Sequence, residues 1–287
     1  MGAILIKELK SYFHSATAYI FMGVFLFFSG IFYALNNVIY ASPDYASVLS
    51  SYNFVFLLIV PILTMKIFAE ETKTRTDQLL LTSPQSIGGI VMGKFLAPVL
   101  LYAVTLLITV LYPLILSMFG SLSVKTIVCA YIGLFLMGSC FISIGVFVSS
   151  LTENVVSAAV GTFAILLCLW LVDSVTSTVP NSYKAGIVFA IAAVLIISLI
   201  IYNATKNIIV SAGVFLVGAI GIAVAAIEKK TLFEGLIAKS LGWISLIKRN
   251  DNFSMGILSV NSIVYFISFM FIFVYLTMRI IEKRRWS

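Results

Sequence analysis

The sequence predicts an all-α, polytopic membrane helix bundle of about eight spans, with the N- and C-termini cytoplasmic. Three observations lead there. Only 10% of the 287 residues are charged while 61% are apolar, against roughly 25% charged in ordinary soluble domains. Several apolar runs reach the roughly 20 residues that carry a helix across a hydrocarbon layer about 30 Å thick. The basic residues are also unevenly shared among the segments that join those runs.

In chain order the whole length, 1–287, reads as one transmembrane domain. Residues 1–15 form an amphipathic helix leading into the first span. The first apolar run is longer than a signal-peptide core and ends without a small-x-small cleavage site, so it is expected to stay as a span. The spans run approximately Ala16–Ile39, Asn53–Phe68, Phe95–Phe119, Thr126–Leu151, Val155–Val175, Gly186–Tyr202, Ile208–Ile227 and Gly256–Ile281. Pro61, Pro98 and Pro113 fall inside spans, where neighbouring helices can satisfy the freed carbonyls. The run Gly186–Ile227 is too long for one crossing and is divided at the polar break Asn203–Asn207.

Cytoplasmic flanks are enriched in Lys and Arg. With the N-terminus inside, the inner segments hold Lys7, Lys10, Lys66, Lys73, Arg75, Lys94, Lys206, Arg279, Lys283, Arg284 and Arg285, eleven of the eighteen basic residues. The outer side holds Lys125, Lys184 and one cluster: Lys229, Lys230, Lys239, Lys248 and Arg249. That cluster belongs to residues 228–256, an extracytoplasmic amphipathic segment. Phe233, Leu236, Ile237, Leu241 and Ile244 recur there at helical spacing, with charged and polar residues opposite, which suits a helix lying on the membrane face. It is either a gate over an outward mouth or a surface filler between spans.

Residues 69–86, AEETKTRTDQLLLTSPQS, face the cytosol on this topology. A charged helix runs into Leu79, Leu80 and Leu81, and Pro84 disfavours helix at the residue before it, so the helix is expected to end near Ser83. Three leucines at the tip either press into another protein or dip into the membrane interface.

This segment resembles the cytosolic coupling helix of ABC-2 type permeases, the transmembrane subunits of one class of ATP-driven transporter. It matches at Glu70, Glu71, Lys73, Thr76, Leu79, Leu80, Leu81, Thr82, Ser83 and Pro84, and departs at Arg75, where a glycine is common, and at Gln78, where a glutamate is common. KELKSYFHSATAYIF at the start resembles the amphipathic helix before the first span of such permeases. DNFSMGILSVNSIVYF and EKRRW near the end resemble the last-span region of the gliding-motility-type branch. The family core has six spans, so the extra pair departs from it while preserving the parity.

The resemblance implies a permease subunit, in a bacterial cytoplasmic (plasma) membrane, that works as a dimer with a second copy or a related permease. A cytosolic ABC ATPase subunit would dock on Glu70, Glu71, Thr76, Asp77, Gln78, Leu79, Leu80, Leu81, Thr82, Ser83 and Pro84, with the three leucines as an apolar knob. The resemblance favours export, and its branch implies an accessory membrane protein with a large outer domain. ATP and Mg are expected on the partner ATPase, and no cofactor in this chain.

Catalytic chemistry is expected to be absent here. Gly88 to Lys94 satisfies G-x-x-x-x-G-K, but Phe95 stands where Ser or Thr should reach magnesium, and the stretch leads into a span rather than following a strand. His14 is the only histidine, and Cys129, Cys140 and Cys168 lie in apolar runs with no metal-ligand spacing, so no metal site is expected. The net charge of +7 is explained by its distribution and implies no nucleic acid. Proton- or ion-driven carriers keep ionisable groups deep in the membrane, and the span interiors offer almost none. A self-sufficient carrier or channel, and a membrane assembly or scaffold protein, are the alternatives.

Overall fold

The computed structural model describes residues 2–78, 85–178, 182–205, 207–228 and 235–286. Among them the chain is helical throughout, with no strand. In order the helices are α1 (Gly2–His14), α2 (Ala16–Tyr33, continuing into a π-helical turn at Ala34–Ile39), α3 (Tyr45–Thr64), α4 (Ala69–Thr74), α5 (Ile87–Thr109), α6 (Leu111–Ser117), α7 (Val124–Leu151), α8 (Val155–Thr178), α9 (Tyr183–Thr205), α10 (Ile208–Glu228), α11 (Leu236–Ile244), α12 (Leu246–Ser254) and α13 (Val260–Trp286). Among the described residues, six stretches are long and apolar enough to cross a membrane: Ala16–Ile39, Tyr45–Thr74, Ile87–Ser117, Val124–Leu151, Val155–Thr176 and Val260–Arg285.

Contacts divide the chain into two compact units, residues 1–168 with 246–287, and residues 169–245. In the first, α7 is the central post. Two-thirds of its span, 67%, is buried inside the protein, against 22% for α2 and 17% for α13, which form the periphery. Its glycines explain how neighbours come so close. A Cβ at Gly133 would run into Asn250 and Phe253 of α12, one at Gly138 into the Tyr102 ring of α5, and one at Gly145 into Thr64 of α3. Helices in lipid gain little from hydrophobicity against one another, so close steric fit and buried hydrogen bonds decide which faces meet.

Aromatic rings fill the space between α2, α3, α5 and α7. Phe25 meets Tyr52 and Tyr102 with centroids 5.5 and 6.1 Å apart, and Phe56 meets Tyr102 and Phe141 at 5.5 and 5.9 Å. The Tyr102 hydroxyl donates to the Leu134 carbonyl of α7 at 2.8 Å. Tyr45 and Tyr131 share a 3.2 Å hydroxyl contact, and Tyr131 also meets Thr109 Oγ1 at 3.1 Å. Tyr102, Tyr45 and Tyr131 thus each have their polar tip met by a neighbouring helix.

In the second unit α9 and α10 are continuous helices of 23 and 21 residues, where the sequence places an extra pair of spans. They pack as an antiparallel hairpin. Ser198 and Ser211 exchange hydrogen bonds at 2.9 and 3.0 Å, and Gly218 leaves room for Val194.

Four sequence expectations are corrected. The second span begins at Tyr45 rather than Asn53: Asp44 accepts from the amides of Ala46 and Ser47 at 3.1 and 3.4 Å, and the serines that read as loop return their hydroxyls to backbone carbonyls of the same segment. The third begins at Ile87 rather than Phe95, capped by Ser86 accepting from the Gly89 amide at 3.2 Å. The charged helix after the second span is not continuous: α4 closes at Thr74, where Arg75 takes left-handed backbone (φ 58°, ψ 19°) and the Thr76 amide donates back to the Glu71 carbonyl at 3.0 Å. Helical backbone resumes at Asp77 and Gln78, while Ser83, its expected end, lies outside the described residues.

The fourth concerns residues 228–256, which do not form one helix lying on a surface. Ser245 is extended and separates α11 from α12. α12 buries Leu246, Asn250 and Phe253, its Ser254 hydroxyl meets Ser50 of α3 at 2.9 Å, and Arg249 stacks 4.3 Å over the Tyr265 ring of α13. Gly256, at φ +79°, makes the turn into α13.

If α7 is held to α3 by steric fit at Gly145, Gly145→Ala should lower stability in detergent by about 1–3 kcal/mol. Thermal unfolding of Gly145→Ala in the Thr64→Ala background should recover part of that loss; simple additivity would refute the contact.

Candidate coupling site

The site assembles where α1, α4 and the start of α5 meet. Lys94 lies seven residues after the first residue of α5, about 10 Å along the helix axis, and is 1% exposed. Its ammonium donates to Glu71 Oε1 at 2.7 Å, to Glu8 Oε1 at 3.0 Å and to the Ile67 carbonyl at 3.1 Å. The Phe68 ring centroid is 5.3 Å away. An ammonium has three N–H donors, and all three are used. Removing a charge from water is tolerable only with partners of this quality.

Gly93 explains the approach of α1. A Cβ there would crowd Ile4 at 3.0 Å, so a glycine beside Lys94 lets α1 lie close enough for Glu8 to reach it. Tyr12, one turn beyond Glu8, donates to the Leu63 carbonyl at 3.0 Å. Burial first, and the Glu8 charge second, push its phenol up from the ordinary range, so it stays a neutral donor.

α4 is fixed on its other sides as well. Ser149 of α7 accepts from the amides of Phe68 and Ala69 at 3.1 and 3.2 Å and donates to the Met65 carbonyl at 3.1 Å, capping the start of α4. Arg284 of α13 donates to Thr72 Oγ1 and to the Ser150 carbonyl, both at 2.8 Å. Six residues of helix are thereby tied to α1, α5, α7 and α13. The helices nearest both chain ends pack at this same end of the unit.

Between α1 and α4 lies a polar cleft of about 420 Å³. One wall is the α1 stripe Lys7, Ser11 and Tyr12; the other is Glu70 and Thr74; Lys94 with its partners Glu8 and Glu71, and Ile67, form the floor. Lys66 and Glu70 stand loosely paired at 3.8 Å, both half-exposed.

Of the residues singled out in the sequence, the structure brings Glu71 into this node, beside Thr72 of the same stretch, while Glu70 and Thr76 line the cleft and Gln78 is exposed. Asp77 lines a smaller recess with Thr72, Ile90 and Arg284. Leu79, Leu80, Leu81, Thr82, Ser83 and Pro84 lie outside the described residues, as does Phe233. Leu236, Ile237 and Leu241 are half-buried on α11, which Ile244 closes. The stretch Gly88–Lys94 is helical along its length and so offers no loop to cradle phosphate. Among the described residues no group of three metal-ligating side chains occurs.

Lys94 is the residue that sequence reading passed over. Taken as a flank of the span, it was counted toward sidedness. The available signal was its place inside an apolar run in a chain with few charges, since ionisable groups held within a span mark functional positions.

The bundle and its apolar lengths define a multi-pass membrane protein. Residues 35–185, more than half of the chain, match the family described as ABC-2 family transporter protein, and the chain belongs to that family. It is thus an ABC transporter permease. None of the curated proteins compared matches it.

Lys94→Met should cost about 3 kcal/mol, because two carboxylates lose their shared cation. Adding Glu8→Gln and Glu71→Gln should restore most of that in detergent melts; no recovery would mean the ion pairs contribute little. Arg75→Gly should raise stability by about 1 kcal/mol by removing the left-handed penalty of a side chain, read as an upward shift of the same melting transition.

Proposed function

We propose that this permease is the transmembrane subunit of an ATP-driven exporter. Segment 69–86 receives the motion of a separate cytosolic ABC ATPase and passes it to the spans through Lys94. ATP and Mg are bound on that ATPase, and the permease works as a dimer with a second copy or a related permease in a bacterial plasma membrane. Eight spans, with both termini inside, fit the helical lengths of α9 and α10 and the distribution of Lys and Arg. An outer gate is assigned to Phe233, Leu236, Ile237, Leu241 and Ile244 from their amphipathic spacing. The gliding-motility-type resemblance adds an accessory membrane protein with a large outer domain.

One observation supports the coupling reading above the others. α4 is a short helix held at once to α1, α5, α7 and α13, so a push on it displaces four elements together. Transmission of this kind needs a packed interface with discrete arrangements rather than a compliant loop. A self-sufficient carrier gives no reason for a charged helix to be fixed so firmly at one end of the bundle.

Leu80→Asp should abolish co-purification of the ATPase in mild detergent while leaving membrane insertion unchanged. Lys94→Gln should do the reverse, retaining the ATPase but losing transport-linked stimulation of hydrolysis by about tenfold, the effect of roughly 1.4 kcal/mol in coupling. Unchanged docking in the leucine variant would overturn the assignment of the knob. Unchanged stimulation in the lysine variant would overturn the transmission role of the node.

A further inference from the structure

The cleft between α1 and α4 is larger than the node beneath it requires, and its charges are not used up by that node. Lys94 spends all three donors on Glu8, Glu71 and the Ile67 carbonyl. Two carboxylates thus share one cation, leaving the floor with an excess of negative charge. Toward the mouth, Lys7 lines the α1 wall, and Lys66 and Glu70 are paired only at 3.8 Å with both side chains about half exposed. A pair so long and so wet is separated at little cost. The cleft therefore presents acid at its floor, base at its rim, and hydroxyls such as Ser11 between.

Its surroundings fix what can reach it. α1 carries exposed Ile6 and Phe13, an apolar side that suits a membrane interface. Ser15 and Thr17, where the first span begins, close one end of the cleft. Its mouth is thus at the level where lipid headgroups are concentrated.

We propose that this cleft binds the zwitterionic headgroup of an aminophospholipid. The primary ammonium enters toward Glu70 and the negatively charged floor, donating N–H bonds to carboxylate oxygens. The phosphate stays at the rim between Lys7 and Lys66, and separation of the Lys66–Glu70 pair frees one partner for each end of the headgroup. A quaternary ammonium has no N–H to donate, and an anionic headgroup without an ammonium places like charge against the floor. The site therefore discriminates phosphatidylethanolamine from both phosphatidylcholine and phosphatidylglycerol. The inference rests on the membrane setting of α1 and not on the coupling role of α4, so either can fail without the other.

The test is native mass spectrometry of the purified full chain, released from nanodiscs containing equal parts of the three lipids. Retention of phosphatidylethanolamine over the other two is expected. Glu70→Gln and Lys66→Gln, both at half-exposed positions outside the node, should each weaken it by about tenfold, as the loss of one charge-assisted hydrogen bond does. Soluble O-phosphoethanolamine should compete only at much higher concentration; competition at equal concentration would show that the free phosphoester, not the lipid, is the ligand. Equal retention of all three lipids, or retention unchanged in both variants, would overturn the proposal. Thermal melts of the variants matching the parent would assign any lost retention to the site rather than to misfolding.

Discussion

The buried ammonium of Lys94 is the constraint on which the polar end of the protein depends. Its three hydrogens point at three different segments: α1 through Glu8, the turn after α3 through Ile67, and α4 through Glu71. No one of them can withdraw without leaving a donor or a carboxylate unpaired in a site with little water. Such a penalty is steep, and it makes the junction tend toward discrete arrangements instead of gradual deformation. A short helix that would fray alone is in this way made part of the bundle.

The rest of the first unit is organised around α7 by a different kind of force. Within lipid, apolar side chains have nothing to gain by choosing one another over acyl chains. Selection therefore falls to shape. Gly133, Gly138 and Gly145 open three notches on one helix, filled in turn by α12, α5 and α3. The aromatic rings between α2, α3 and α5 add directional contacts, with the Tyr102 hydroxyl tied to the backbone of α7. One end of the post thus carries an ionic junction, its middle is packed by aromatic and small residues, and its far end receives α12.

The junction and the cleft above it are linked through charge. Because Lys94 satisfies two carboxylates at once, the floor of the cleft keeps negative character, while Lys7 and Lys66 remain near the rim. What the cleft holds and what the junction transmits therefore share residues on the walls of α1 and α4. Membership in the ABC-2 transporter family gives this arrangement its context, a permease in which α4 is the element proposed to meet an ATPase.

The amino-acid sequence determined the class of fold, since apolar runs of span length in a chain so poor in charge have no other stable setting. It also placed the amphipathic start, the hairpin pair α9 and α10, and the charged segment after the second span, because each is written in local periodicity. Its errors came where local pattern and tertiary partner disagree. The serines after Asp44 read as loop until their hydroxyls are seen bonded back to the helix. The charged segment read as one unbroken helix because nothing local forbids Arg75 from helical backbone. Residues 228–256 read as one amphipathic surface segment because nothing local marks the break at Ser245, and the burial of Asn250 depends on the notch at Gly133. Only the tertiary structure could decide that Lys94 is a buried junction and not a flank, for its partners Glu8 and Glu71 lie 86 and 23 residues away in sequence. A pairing across such distances is set by which helices pack together, and that information resides in steric fit between faces, not in the period of any one of them.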